Sequence, residues 1–169
     1  MPLIYLSLGS NIDRERNIQA ALFDLENAFG TLLVSSIYET AAVGFDGAPF
    51  YNLVVGFESS LPIDAIAETL ADIENRHGRT RDCKKFASRT LDIDLLLYGD
   101  LNFEKGKLKL PRPDLLKYAF MLEPLAEIAP DQRHPTANKT FAELWADYDK
   151  TNLQQIRLKS ARQPSEPGA

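Results

Sequence analysis

Two aspartates, Asp92 and Asp94, stand two positions apart in the run Arg-Thr-Leu-Asp-Ile-Asp-Leu-Leu-Leu-Tyr-Gly at 89–99. The run is rich in branched and apolar residues and reads as a strand, in which alternate side chains share a face. Both carboxylates then point the same way, with Cα atoms about 6.5–7 Å apart. That spacing suits one divalent ion held between them, or two ions in a shared cluster. Leu91, Ile93, Leu95 and Leu97 take the opposite face, which should be core. Just upstream, Arg76, Arg79, Arg81, Lys84, Lys85 and Arg89 are opposed only by Asp82. Hard carboxylates bind Mg²⁺ together with substrate phosphates, and guanidinium forks grip phosphate oxygens. Metal, cations and an aligned, dry site are most of what phosphoryl transfer needs. The competing reading is an acidic strand end paired with nearby arginines.

A second constellation is Phe50 with Asn52, on one face of a strand by period two. A ring and an amide offer a flat heterocycle a stacking surface and a donor–acceptor edge. Alone, such a pair is usually edge-of-sheet packing. Gly9-Ser10-Asn11, between a strand and a helix, could cradle a phosphate, but the spacing of a P-loop or dinucleotide fingerprint is missing and a turn with an N-cap is the plainer reading. His77 and His134 have no second ligand at metal-binding spacing and read as incidental. Cys83 sits among cations that can lower a thiol pKa, but no partner base is near in sequence and no role is assigned.

The elements that must position these groups follow from period and punctuation. Residues 3–8 read as a buried strand. Asn11 or Asp13 can cap a helix with the stripe Ile18, Leu22, Leu25 and Phe29, closed by Gly30. Residues 32–39 and 50–58 read as strands around a loop. Pro62 suits the first turn of a second helix with the stripe Ile63, Ile66, Leu70 and Ile73, stopped by Gly78. The basic loop and the aspartate strand follow. Strand-helix-strand-strand-helix-strand is the ferredoxin-like split arrangement, an α+β fold with a largely antiparallel sheet and helices on one face. Residues 101–110 add a short hairpin, Pro111-Arg112-Pro113 breaks the chain, and 114–129 and 139–147 read as short helices. One domain over 1–159 is expected, with a polar, Pro- and Gly-containing tail at 160–169 that is disordered.

The 169 residues, 44% hydrophobic and 25% charged, fit one soluble domain. No apolar run is long enough for a membrane span, and the first residues read as a strand, not a signal peptide. One cysteine cannot form an internal disulfide, and a reducing, cytoplasmic setting is expected. The net charge of −5 argues against general nucleic-acid binding. A cationic loop in an acidic chain points to a small anionic ligand.

Several motifs, in order from residue 3 to about residue 135, resemble the 6-hydroxymethyl-7,8-dihydropterin pyrophosphokinase family of folate biosynthesis. They are Leu-Gly-Ser-Asn at 8–11, Phe-Tyr-Asn at 50–52, Gly-Arg-Thr-Arg at 78–81, Arg-Thr-Leu-Asp-Ile-Asp at 89–94 and Phe-Met-Leu-Glu-Pro-Leu-Ala-Glu-Ile-Ala-Pro at 120–130. The resemblance implies pyrophosphoryl transfer from ATP to the pterin hydroxymethyl group with release of AMP, on a ferredoxin-like fold. It implies two Mg²⁺ ions on Asp92 and Asp94, and phosphate contacts from the catalytic arginines Arg79 and Arg89. The nucleotide would also meet Arg81, Lys85, Phe86, Leu95, Arg112 and Tyr118. The pterin would lie between Phe50 and Phe120, its edge met by Thr40, Val43, Gly44 and Asn52.

Alternation would put Arg89 on the face opposite the aspartates, so Arg89 must leave the strand end to reach them. The family usually has an aromatic residue, Gly and Pro before Arg-Thr, where this chain has Phe86-Ala87-Ser88. It usually has His and Arg where this chain has Arg112 and Tyr118. These departures bear on ATP grip, and Arg112 could restore positive charge from another direction. The expected partners are the two small substrates, with no nucleic acid or membrane, and the protein is expected to be monomeric. A catalytically weak relative that binds pterin or nucleotide is the second reading. An RNA-binding module of similar element order is the third, opposed by the acidic pair on the inferred central strand.

Overall fold

The computed structural model describes residues 1–41, 49–77 and 91–160. Of the expected site residues, Val43, Gly44, Arg79, Arg81, Lys85, Phe86 and Arg89 lie outside the described residues, as do the Gly78 helix stop and residues 161–169 of the expected tail.

The elements are β1 (Leu3–Ser10), α1 (Arg14–Phe29), β2 (Leu33–Val34), β3 (Ser36–Thr40), β4 (Phe50–Glu58), α2 (Ile63–Arg76), β5 (Asp92–Tyr98), a β6–β7 ribbon (Phe103–Lys105, Leu108–Leu110), a single 3₁₀ turn (Pro113–Leu116), α3 (Ala119–Ile128), α4 (Phe141–Asp147) and β8 (Gln155–Ser160). The main sheet runs in the order β5-β1-β4-β3-β8, with β2 also paired to β4. Each of its pairings is antiparallel. This is the expected ferredoxin-like α+β core, with the expected hairpin and C-terminal helices added.

One face of the sheet meets α1 and α2. Ile18, Leu22 and Leu25 of α1 and Ile66, Leu70 and Ile73 of α2 bury against Ile4, Leu6, Leu8, Leu53, Val55 and Ile93. Phe29 stacks on Phe57 with centroids 4.3 Å apart, and Gly30 then ends α1 at φ 87°, a left-handed conformation that a Cβ would disfavour. Asp13, not Asn11, is the helix-start residue, and its side chain makes no cap hydrogen bond. His77 has a structural contact: its Nε2 lies 2.9 Å from Asp24 Oδ2 and ties α2 to α1.

The other face is covered as well, against the expectation of helices on one face. Leu115, Met121, Leu122, Leu125 and Phe141 form a second core with Tyr5, Val54, Leu96 and Leu97 of the sheet. Leu97 therefore lies opposite to its expected side. Tyr5 pairs with Leu97 and Leu6 with Leu95, which leaves Leu96 as an extra residue in β5. A one-residue bulge reverses every side chain beyond it. Leu95 lies before the bulge and stays in the first core.

The expected strand at 32–39 is two strands. Val34 pairs with Val55 and Tyr38 with Asn52, so one extra residue interrupts the ladder around Ser35. Ser35 fills the gap: its Oγ accepts from the Val54 amide at 2.9 Å. The β8 strand was not anticipated, and it covers the outer edge of β3.

Candidate active site

The site begins with a glycine. Gly9 near the end of β1 pairs with Asn52 on one side and Asp92 on the other. Directly paired residues of antiparallel strands share a face, so Asn52, Gly9 and Asp92 form a row across three strands. Opposite Cα atoms lie about 4.5–5.5 Å apart, which puts Asn52 and Asp92 roughly 9–11 Å from each other. Gly9 leaves the floor between them bare. A Cβ on Gly9 would lie 2.9 Å from Asn52 Oδ1 and 3.8 Å from Phe50 Cδ1. Gly9-Ser10 is thus strand rather than phosphate cradle, and Ser10 Oγ donates to the Ile12 carbonyl at 3.1 Å to shape the turn.

The next row along is Val54, Ser7 and Asp94. Ser7 is buried, and a small polar residue there keeps the floor low beneath the second carboxylate. Its signal in the sequence is the period-two step from Gly9. Asp92 and Asp94 are both half-buried and share the face expected of them. They offer oxygen donors only, and among the described residues no third carboxylate, histidine or cysteine joins them in a metal-binding group. That donor set fits Mg²⁺, which keeps open positions for phosphate oxygens and water. It does not fit a closed zinc site.

The structure brings Arg112 to this pair. Arg112 Nη2 lies 3.5 Å from Asp94 Oδ1, and its Nε lies 3.4 Å from Asp114 Oδ2. Arg112 Nε is buried and makes no hydrogen bond among the described residues. A guanidinium held between two carboxylates at these distances is loosely tethered and keeps donors to offer an anion.

On the heterocycle side, Asn52 is buried and donates from Nδ2 to Thr40 Oγ1 at 2.7 Å. Thr40 pairs with Phe50, so Thr40, Phe50 and Asn52 sit on one corner of the same face. Phe120, the second residue of α3, is partly buried against the second core. Tyr118 stacks on it, with centroids 5.1 Å apart and planes 23° apart. Tyr118 therefore packs beside the residue expected to meet the pterin, although it was expected on the nucleotide side. Leu95 is buried in the core on the opposite face, so its side chain does not point toward the carboxylates. A contact from Leu95 to a ligand on β5 must come from its main chain, and β5 is an edge strand.

This face of the sheet carries two carboxylates on its edge strand and a ring with an amide two strands away, a set that suits a hard divalent cation beside a flat heterocycle. Residues 5–130 match the family model described as 7,8-dihydro-6-hydroxymethylpterin-pyrophosphokinase (HPPK). A 2-amino-4-hydroxy-6-hydroxymethyldihydropteridine pyrophosphokinase of Bacillus subtilis is 42% identical over 130 residues, 75% of this chain and 77% of the relative. The enzyme of that name from Synechocystis is 37% identical over 154 residues, 89% of this chain and 78% of the relative. A folate synthesis bifunctional protein of Chlamydia trachomatis is 36% identical over 163 residues, covering 88% of this chain but 36% of its own length. The fold is shared with the Plasmodium falciparum HPPK-DHPS crystal structure, at a TM-score of 0.71 and 16% identity over 93% of this chain; this chain spans 47% of that longer one. The chain belongs to the 7,8-dihydro-6-hydroxymethylpterin-pyrophosphokinase family.

Proposed function

We propose that this protein transfers pyrophosphate from ATP to the hydroxymethyl group of 6-hydroxymethyl-7,8-dihydropterin, releasing AMP, in folate biosynthesis. The observation that carries the reading is the row Asn52–Gly9–Asp92, an amide for a pterin edge and a carboxylate for a phosphate-bound cation on one bare strand crossing. In this reading Phe50 and Phe120 enclose the pterin ring. Thr40 holds the Asn52 amide so that its carbonyl oxygen is left for the ring's donors, and Val43 and Gly44 complete the edge contacts.

Asp92 and Asp94 would hold two Mg²⁺ ions, which supply charge neutralisation and alignment of the triphosphate. The substrate hydroxyl oxygen bonds to the β-phosphorus in line as the bond from that phosphorus to the α–β bridging oxygen breaks; the bridging oxygen leaves on AMP, and the hydroxyl proton passes to solvent. No side chain need act as a strong base. Arg79 and Arg89 hold the transferring group, and Arg81, Lys85, Phe86, Tyr118 and the Leu95 main chain hold the nucleotide. Arg112 exchanges its contact with Asp94 for a phosphate oxygen when nucleotide arrives. It thereby supplies positive charge to the nucleotide from beside Asp94. In this reading the protein acts as one domain over residues 1–159, as a monomer, in the cytoplasm. No described helix is long and apolar enough to cross a membrane.

The test is an assay for AMP with purified full chain, ATP, Mg²⁺ and the pterin alcohol. AMP formation that requires both substrates and the metal is expected. Tight pterin binding with no AMP would reduce the protein to a binding module and overturn the proposal.

A further inference from the structure

Outside the described site, the polar contacts between β8 and α3 form a connected set that the reaction does not use directly. Gln155 Nε2 donates to Glu123 Oε1 at 2.8 Å and to the Ala119 carbonyl at 3.2 Å. Arg157 Nη2 lies 3.1 Å from Glu127 Oε2, and Arg157 Nε donates to Ser36 Oγ at 3.2 Å. The two rungs keep step. Two residues of strand rise roughly 6.5–7 Å, and four residues of helix rise about 6 Å. Gln155–Glu123 and Arg157–Glu127 therefore fix the register of strand and helix running in the same direction.

The first rung reaches the elements that carry Phe50 and Phe120 from both sides. Gln155 pairs with Thr40 across β8 and β3, and Thr40 pairs with Phe50 across β3 and β4. The Gln155 side chain reaches the Ala119 carbonyl, next to Phe120. The turn of α3 that carries Phe120 lacks one internal bond, because Pro124 inside the helix has no N–H to give the Phe120 carbonyl. That turn is thus held partly from outside.

We infer that Gln155 is a positioning residue for the pterin pocket, its amide bridging the strand beside Thr40 to the helix turn of Phe120 and so setting the separation of the Phe50 and Phe120 rings. The inference rests on the proposed pterin reading. β8 lies beyond the residues that the family model matches, and Gln155 need not touch substrate.

The experiment uses full-length Gln155→Met, similar in volume but without the amide, together with Gln155→Ala. Pterin affinity is measured by fluorescence titration in the presence of a non-hydrolysable ATP analogue, and analogue affinity is measured separately. Thermal unfolding is followed for each protein. Loss of a two-acceptor amide should weaken pterin binding about five- to tenfold, with analogue affinity within about twofold of the parent. A Gln155→Glu variant, which sets two carboxylates together, should weaken pterin binding further. The double variant Gln155→Glu with Glu123→Gln restores an amide–carboxylate pair and should recover part of the loss. Unchanged pterin affinity in Gln155→Met, or equal losses for both ligands, overturns the positioning role while leaving the pyrophosphokinase reading intact. A parent protein that binds no pterin overturns that reading, and this inference with it.

Discussion

Gly9 leaves the strand crossing between Asn52 and Asp92 bare by having no side chain. Its missing Cβ would stand 2.9 Å from Asn52 Oδ1, tighter than real contacts allow, so in Gly9→Ala the Asn52 amide must shift. Pterin affinity should fall about tenfold with a stability loss of about 1–2 kcal/mol, the usual cost of overpacking; ATP-analogue affinity should change less. Calorimetric titration of the two ligands against the variant checks this, and unaltered pterin affinity would count against the assigned edge contact. Asp92 and Asp94 make a different demand. Asp→Asn at either position keeps the shape but turns one acceptor oxygen into a donor and removes the charge that a cation needs. Turnover should drop by about two orders of magnitude or more, while pterin affinity and melting temperature stay close to the parent. Turnover near the parent's in both variants would sink the metal assignment. The shared facing of these residues was legible in the sequence because a strand alternates its side chains: two acids two apart in one strand, a ring and an amide two apart in another. Arg112 was legible as a cation, but its seat between Asp94 and Asp114 depends on the turn after β7, which no local spacing encodes.

Among the elements, α3 is tied to β3 through one carboxylate. Glu127 accepts from Tyr38 Oη at 2.7 Å, from Ser36 Oγ at 2.9 Å and from the Ser36 amide at 3.1 Å. Burial, reinforced by the Glu127 hydrogen bond and charge, raises the Tyr38 hydroxyl well above the usual phenol range. Glu127→Gln turns half of this acceptor into a donor facing donors. A loss of about 2–3 kcal/mol is expected, read as a lower urea midpoint with unchanged slope. A midpoint within error of the parent's would show that the network adds nothing to stability. The helices and core strands were readable because their apolar periods agree with their burial. β8 was not, because its pattern is inverted. Gln155 and Arg157 face α3, where Glu123 and Glu127 receive them, while Ile156 and Leu158 are 61% and 42% exposed. A strand whose inward face is polar gives no hydrophobic alternation to detect. The bulge at Leu96 escaped for a related reason: three consecutive leucines fit either register, and only the second core decides between them.

At the scale of the whole molecule, the sheet is a shared wall between two cores, and the site occupies the α3 side. Arg157, Tyr38, Asn52, Gly9 and Asp92 pair in one continuous row across five of its six strands. The C-terminal segment closes that side, and His134 anchors it. His134 is buried, and its Nδ1 accepts from the amides of Ala137 at 3.0 Å and Thr136 at 3.1 Å. Its own amide donates to the Lys139 carbonyl, and its ring packs edge-on to Phe141 of the second core. Only the neutral ring can accept at Nδ1, and burial lowers its pKa below the ordinary 6.5. Between the lowered folded value and 6.5 the unfolded chain binds more protons than the folded one, so stability must fall as pH drops through that window. The contribution is complete above pH 6.5 and absent once pH passes below the folded value. His134→Asn keeps an acceptor near the Nδ1 position without a titrating ring. Urea unfolding of parent and variant at pH 7.5, 6.5 and 5.5 should give a stability difference that shifts in the variant's favour as pH falls. A difference constant across the three pH values would show that the His134 ring does not set the acid sensitivity of this fold.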